Sequence, residues 1–241
     1  MRLRLYDLFN ETEFDSSKYV WENIYKKIYK NNLQFPQNAE YQRMNFRYVL
    51  KNESFIYNGK SSKKMVFSGD TDFNFKTSPS GRRGKRFLCD EFYKILEKET
   101  DRDKAEHAKE LLDTCKTYTY TKWNVSIMPC TGSMQSVKQG IGRDRLDTFV
   151  WAIDQHYQGH SVLFNHCAAA HYSSLKSYLD LFSNVNEYCE CIYHISGDLV
   201  KNLVESGAEP IDSTDRVLRY IILAKKFWHQ KKCYLIYGDD Y

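Results

Sequence analysis

Between Met128 and Asp147 the chain reads MPCTGSMQSVKQGIGRDRLD, a glycine-broken stretch carrying Lys138, Arg143 and Arg145 that runs into an amphipathic helix. A helix start leaves backbone N–H groups unpaired and bears a partial positive charge, so a basic loop beside it is a place where phosphate can be held. In that reading Thr131, Gly132 and Ser133 supply donors and Lys138, Arg143 and Arg145 supply charge, with Asp147 completing the set. The spacing fits neither a P-loop nor a dinucleotide-binding fingerprint. The ordinary reading stays open beside it: the glycines turn the chain, Asp144 caps the helix, and Arg145 pairs with Asp147 or a more distant acid.

A second set of cations points to nucleic acid. Residues 43 to 86 hold eleven Lys and Arg against Glu53, Asp70 and Asp72, a local excess of +8 in a chain whose net charge is +4. An acidic partner can be steered to such a face. Arg47 and the GRRGKR run with Arg82, Arg83, Lys85 and Arg86 lie near aromatic strand residues Phe46, Tyr48, Phe55 and Tyr57. That mixture serves single-stranded nucleic acid through stacking and phosphate contacts. Alternating Phe and Tyr on strands also make a core, and no RNP-like strand is present.

Enzymatic chemistry has weaker support. Cys130 with a histidine from 156, 160 or 166 would make a Cys/His hydrolase, but nothing in the sequence brings the two together. Asp70 and Asp72, or Asp144, Asp147 and Asp154, are acids that can carry Mg²⁺ for phosphodiester cleavage, though loops and caps are their usual place. Cys189, Cys191 and His194 cluster, as do His166, Cys167 and His171. In a helix, however, Cys189 and Cys191 diverge by about 200°. No metal and no cofactor is expected.

These groups must be positioned by one compact unit. With 241 residues, 42% of them hydrophobic, the chain can bury a sizeable core, and 15% aromatics with only 11 Gly and 4 Pro argue against disorder and against a turn-rich sandwich. Seven cysteines without a CxxC pair suit reduced thiols, and the start MRLRLYDLF shows neither a signal peptide nor a long apolar run. A cytoplasmic protein without a membrane span is the expectation.

Helical spacing is read at about 18–30, 87–98, 102–116, 144–157, 172–182, 185–195, 198–205 and from Ser213-Thr214 onward, where Val217, Leu218, Ile221, Ile222 and Trp228 are expected to face inward. Alternation around Phe46 to Leu50, with short runs at 55–57 and 65–67 and a turn at Asn58-Gly59, predicts a small antiparallel meander. Residues 68 to 86 read as an exposed polar loop and 123–128 as a short buried strand. The expected fold is α+β, predominantly helical with a small antiparallel sheet in the N-terminal half. It forms a single globular domain over 1–241, the helix and meander in about 1–86 and the helical part in about 87–241.

Gly132, Met134, Lys138, Asp144, Arg145, Asp147 and Tyr157 resemble the pattern of an uncharacterised prokaryotic family, in which a Gly-Met segment and a basic residue precede Asp-Arg-hydrophobic-Asp and a helix ending near Tyr. The similarity is clearest over about 124–200. Members often follow that helix with Ser-Pro-Leu, where this chain has Ser161-Val162-Leu163. The resemblance implies a bacterial or phage-related cytoplasmic protein and carries no activity. The functional expectation is therefore a non-enzymatic binding protein that engages nucleic acid or a phosphate-bearing ligand through a basic face. A nucleotide or phosphodiester hydrolase is one alternative, and a protein-interaction module using the 19 tyrosines is another.

Overall fold

A computed structural model describes residues 25–29, 31–33, 42–44, 47–77, 87–130 and 134–238, with only the backbone described for Lys27, 42–44 and 47–48. It shows an α+β fold, mostly helical, with a small antiparallel sheet. The sheet runs in the order β1 (Gln42–Met44), β2 (Arg47–Glu53), β5 (Met65–Thr71), β6 (Val125–Pro129), and β3 (Ile56–Tyr57) with β4 (Lys60–Ser61) forms a separate hairpin. The hairpin turns at Asn58 and Gly59, whose φ values of 48° and 73° are those that a two-residue connection demands. β5 pairs with β6 in continuous register from Phe67 opposite Pro129 to Thr71 opposite Val125.

Helices follow in the order α1 (Leu88–Leu96), α2 (Arg102–Tyr118), α3 (Met134–Gly142), α4 (Leu146–Tyr157), α5 (Tyr172–Leu179), α6 (Val185–Tyr193), α7 (Asp198–Gly207) and α8 (Thr214–Tyr237). Asp101 caps α2 and Asn184 caps α6 through side-chain oxygens that accept backbone N–H groups. In α4 the expected stripe is present, with Leu146, Phe149, Val150 and Ile153 fully buried. Buried residues of the sheet and the helices join in one apolar cluster. None of the described helices is long and apolar enough to cross a membrane.

Several local expectations are corrected. The segment 128–147 is not a loop: α3 occupies nine of its residues, because Met134, Val137, Lys138 and Ile141 recur at helical spacing and turn one face inward. Asp144 is not the cap of α4; it sits at φ 67° in the α3–α4 turn, and Arg145 holds the N-cap position. The supposed loop after Ser68 begins as strand β5 and continues into Asp72, Phe73 and Phe75, all buried. Val49 and Leu50 are both buried, so β2 does not alternate there: the sheet is covered on both faces. Ile222 is 41% exposed, and the inner stripe of α8 is instead Val217, Tyr220, Ile221, Ala224, Phe227, Trp228 and Lys231. The helix expected at 18–30 falls mostly outside the described residues, which retain one helical turn at Lys26–Ile28.

Candidate functional site

The basic residues of 134–147 point in three directions. Lys138 lies one turn into α3, on the inward face, and is fully buried. Its ammonium meets the Asp70 carboxylate at 2.8 Å and donates to the Thr71 carbonyl at the end of β5. Burial works against its charge, but the carboxylates of Asp70 and Asp144 outweigh that and raise its pKa above the ordinary lysine value. Arg143, exposed in the turn, pairs with Glu91 of α1. Arg145 grips Asp147 with two parallel bonds, Nε to Oδ1 at 3.0 Å and a terminal nitrogen to Oδ2 at 2.8 Å, and also donates to the Ser206 and Glu209 carbonyls.

Asp147 is completely buried and its remaining capacity is filled by Ser206 Oγ at 2.7 Å and the Thr148 N–H at 2.8 Å. The pair is therefore a clamp between α4 and the C-terminal end of α7. Beneath it Gly207 lets the two backbones touch: a Cβ there would overlap the Asp147 carbonyl and lie 2.7 Å from Trp151 Cβ. Arg145→Ala would strip a fully buried carboxylate of its partner and is expected to destabilise the fold by ~3 kcal/mol, seen as a lower denaturant midpoint. Arg145→Lys is expected to recover only part of that, since an ammonium cannot form both bonds of the fork.

Thr131, Gly132 and Ser133 lie outside the described residues, and the three cations are not gathered but spread over Asp70, Glu91 and Asp147. What it assembles instead is a buried charge cluster that the sequence reading reached only in part. Lys231, on the inner stripe of α8, donates to Asp72 Oδ2 at 2.6 Å, the Val125 carbonyl at 2.8 Å and Ser126 Oγ at 2.5 Å, which uses all three ammonium protons. Asp72 is completely buried and its Oδ1 has no hydrogen-bond partner among the described residues. Burial pushes Asp72 up and Lys231 down, each restrained by the other's charge. Asp70 stands opposite Ser126 in the β5–β6 register, so the Lys138–Asp70 and Lys231–Asp72 pairs meet on one pair of strands. Only Asp70, with a side chain 14% exposed, reaches solvent. The acids weighed for Mg²⁺ at 70 and 72 thus each face an ammonium group.

Lys231 was legible in principle. It follows Phe227 and Trp228 by four and three residues on the same helix, so its position, read as a stripe, is an inward one.

His194 borders this cluster. It follows α6 in a left-handed conformation, lies flat on Tyr234 at 4.4 Å, and its Nε2 has no hydrogen-bond partner among the described residues. Burial, reinforced by the Lys231 charge, pushes its pKa down to about 3 from an ordinary 6.5. The unfolded chain therefore binds a proton between those values that the folded chain refuses. Stability from this group is complete above pH 6.5 and is lost as pH falls towards 3. His194→Phe is expected to flatten the dependence of the urea midpoint on pH across that interval, and an unchanged slope would contradict the assignment.

The cysteines clustered in sequence do not gather metal ligands. Cys189 and Cys191 are both buried, and among the described residues no group of three or more His, Cys, Asp or Glu is placed to hold a metal ion. Cys130 is buried directly after β6. None of the seven cysteines forms a disulfide.

Of the cations that the sequence singled out, those described on the meander are exposed. Lys51 on β2, Lys60 on β4, and Lys63 and Lys64 between β4 and β5 are exposed, and none forms an ion pair with a described residue. Arg47 begins β2, and Arg82, Arg83, Lys85 and Arg86 lie outside the described residues. Two of the four platform rings are taken up elsewhere: Phe55 is fully buried among Tyr29, Phe67, Tyr178 and Phe182, and Tyr57 is half-buried against Phe182 at 5.0 Å, while Phe46 and the Tyr48 side chain lie outside the described residues. Compared with known protein families, curated proteins and solved structures, the chain matches none.

Proposed function

We propose that the chain is a non-enzymatic, cytoplasmic binding protein of bacterial or phage origin that engages nucleic acid or another phosphate-rich polymer through the basic edge of its meander. One observation carries this reading: Lys51, Lys60, Lys63 and Lys64 are exposed without a described ion-pair partner, whereas the cations of 134–147 are committed to Asp70, Glu91 and Asp147. Exposed lysines on β2, on β4 and in the link from β4 to β5 present separate point charges, which suits a flexible chain of phosphates better than one small anion. Arg47, in β2, and the basic run Arg82 to Arg86 belong to the same local excess of charge in the sequence. Seven cysteines without a disulfide support a reducing compartment.

The test is gel-shift binding of labelled single- and double-stranded DNA and RNA at two salt concentrations, with and without Mg²⁺. A shift of intact strands that weakens steeply with salt is expected, together with at least a tenfold loss in a Lys60→Glu/Lys63→Glu/Lys64→Glu variant. Cleavage appearing only with Mg²⁺ would replace this reading by the hydrolase. No shift at low salt would refute it.

A further inference from the structure

A second cationic surface lies at the other end of the chain. Residues 216 to 238 contain six Lys and Arg and no Asp or Glu; Arg216 and Arg219 pair with Asp212, Glu205 and Glu209 and Lys231 is buried on Asp72, which leaves Lys225, Lys226 and Lys232 of α8. Lys225, His229 and Lys232 recur at i, i+4 and i+7 and so share one stripe of the helix, with exposed Lys226 beside it. Lys225 and Lys226 form no ion pair with a described residue.

This stripe rests on rings. Trp228 is stacked on Tyr118 of α2 at 4.2 Å with 11° between the planes, and it is anchored by its indole N–H to Thr121 Oγ1 at 2.7 Å. Lys232 stands over the Trp228 ring at 4.7 Å and 5.8 Å from that of Trp123. The exposed His229 ring meets Trp228 edge-on at 5.1 Å and Tyr118 at 6.1 Å. Cations fixed over stacked rings hold a defined position and give up less freedom on binding than lysines standing free in solvent.

From this geometry we infer that the C-terminal half of α8, backed by Tyr118 and Trp228, is a contact surface for single-stranded nucleic acid: Lys225, Lys226 and Lys232 meet successive phosphates and a base stacks at His229 and Tyr118. A single strand is favoured over a duplex because the cations stand beside the exposed His229 ring and the part-exposed Tyr118, which serve unpaired bases and offer nothing to paired ones. The positive field is already visible at His229, whose imidazole is held below its ordinary pKa by partial burial and by Lys225 and Lys232.

The partner class is the one proposed for the meander, but the residues are different, so the two assignments fail separately. The experiment measures binding of a fluorescent oligo(dT) and of a duplex of equal length across a salt series, using the full chain, a Lys225→Glu/Lys226→Glu variant and the meander triple variant. The α8 variant is expected to bind oligo(dT) at least tenfold more weakly and to lose about two from the slope of log affinity against log salt. His229→Ala, which removes a ring and no lysine, is expected to weaken binding without changing that slope. Loss in the α8 variant with an unaffected meander variant would sustain this surface and overturn the meander. Unchanged affinity and slope in the α8 variant overturns it, as does a preference for duplex or a full-length chain that binds neither probe.

Discussion

Gly207→Ala is expected to be among the most damaging single changes in the protein, costing ~4 kcal/mol and lowering the thermal midpoint by roughly 10 °C, with failure to fold at 37 °C as the extreme form. The reason is where the new methyl group must go. A Cβ at 207 falls inside the carbonyl of Asp147 and 2.7 Å from Trp151 Cβ, so its neighbour on one side is backbone, which cannot rotate away as a side chain can. Relief requires α4 and α7 to separate, and separation pulls Ser206 Oγ from Asp147 at the same time. Steric overlap and loss of the clamp therefore add. Ser206→Ala isolates the second part, because it deletes one hydrogen bond to a carboxylate and leaves the spacing intact; ~2 kcal/mol is expected for it. Denaturant melts of the two variants decide the matter: equal losses would show that the helices yield easily at Gly207.

Lys231→Met is the second large effect. Methionine fills much of the lysine volume but leaves Asp72 without its cation in the core, at an expected cost of ~3–5 kcal/mol. Asp72→Asn should be damaging in its own right, because Lys231 then keeps a buried charge among neutral acceptors only, the Val125 carbonyl, Ser126 Oγ and the new amide oxygen. The combination Asp72→Asn with Lys231→Met is expected to stand much closer to the parent protein than either single change, since neither residue then brings an unpaired charge into the interior. Urea titrations of the three variants give the coupling directly. Additive losses would mean that the two groups do not depend on each other.

The stripe of α4, part of that of α8, the turn at Asn58-Gly59 and the buried strand at 125–129 were legible because each obeys a local rule that tertiary contacts reinforce: apolar residues at helical spacing, positive φ at a hairpin, a short run that is mainly apolar. α3 was hidden by Gly140 and Gly142, which read as loop punctuation, while its inward face carries a lysine where a stripe search looks for an apolar residue. Asp70 and Asp72 read as loop acids for the same reason, since a charged residue in a polar run gives no local sign that a cation waits on a helix, Lys138 for Asp70 and, 159 residues away, Lys231 for Asp72. The partners of Arg145 were half legible. Asp147 was named beside it, but Ser206 and the close approach at Gly207 come from a helix whose packing no local pattern announces. The functional residues proposed on the meander follow from charge composition; those on α8 do not, because an acid-free stretch at a helix end is also what the helix dipole favours.

Lys231 also has a consequence for how this sheet meets other chains. β6 is an edge strand, and all five of its residues are buried. Asn124 and Cys130 bond towards β5, so by alternation the Val125 carbonyl faces the outer side, where the lysine ammonium takes it. An incoming strand that tried to extend the ladder along β6 would find that carbonyl already engaged by the α8 lysine. Strand addition on that side must first displace Lys231, which guards this edge against domain-swapped or fibrillar pairing.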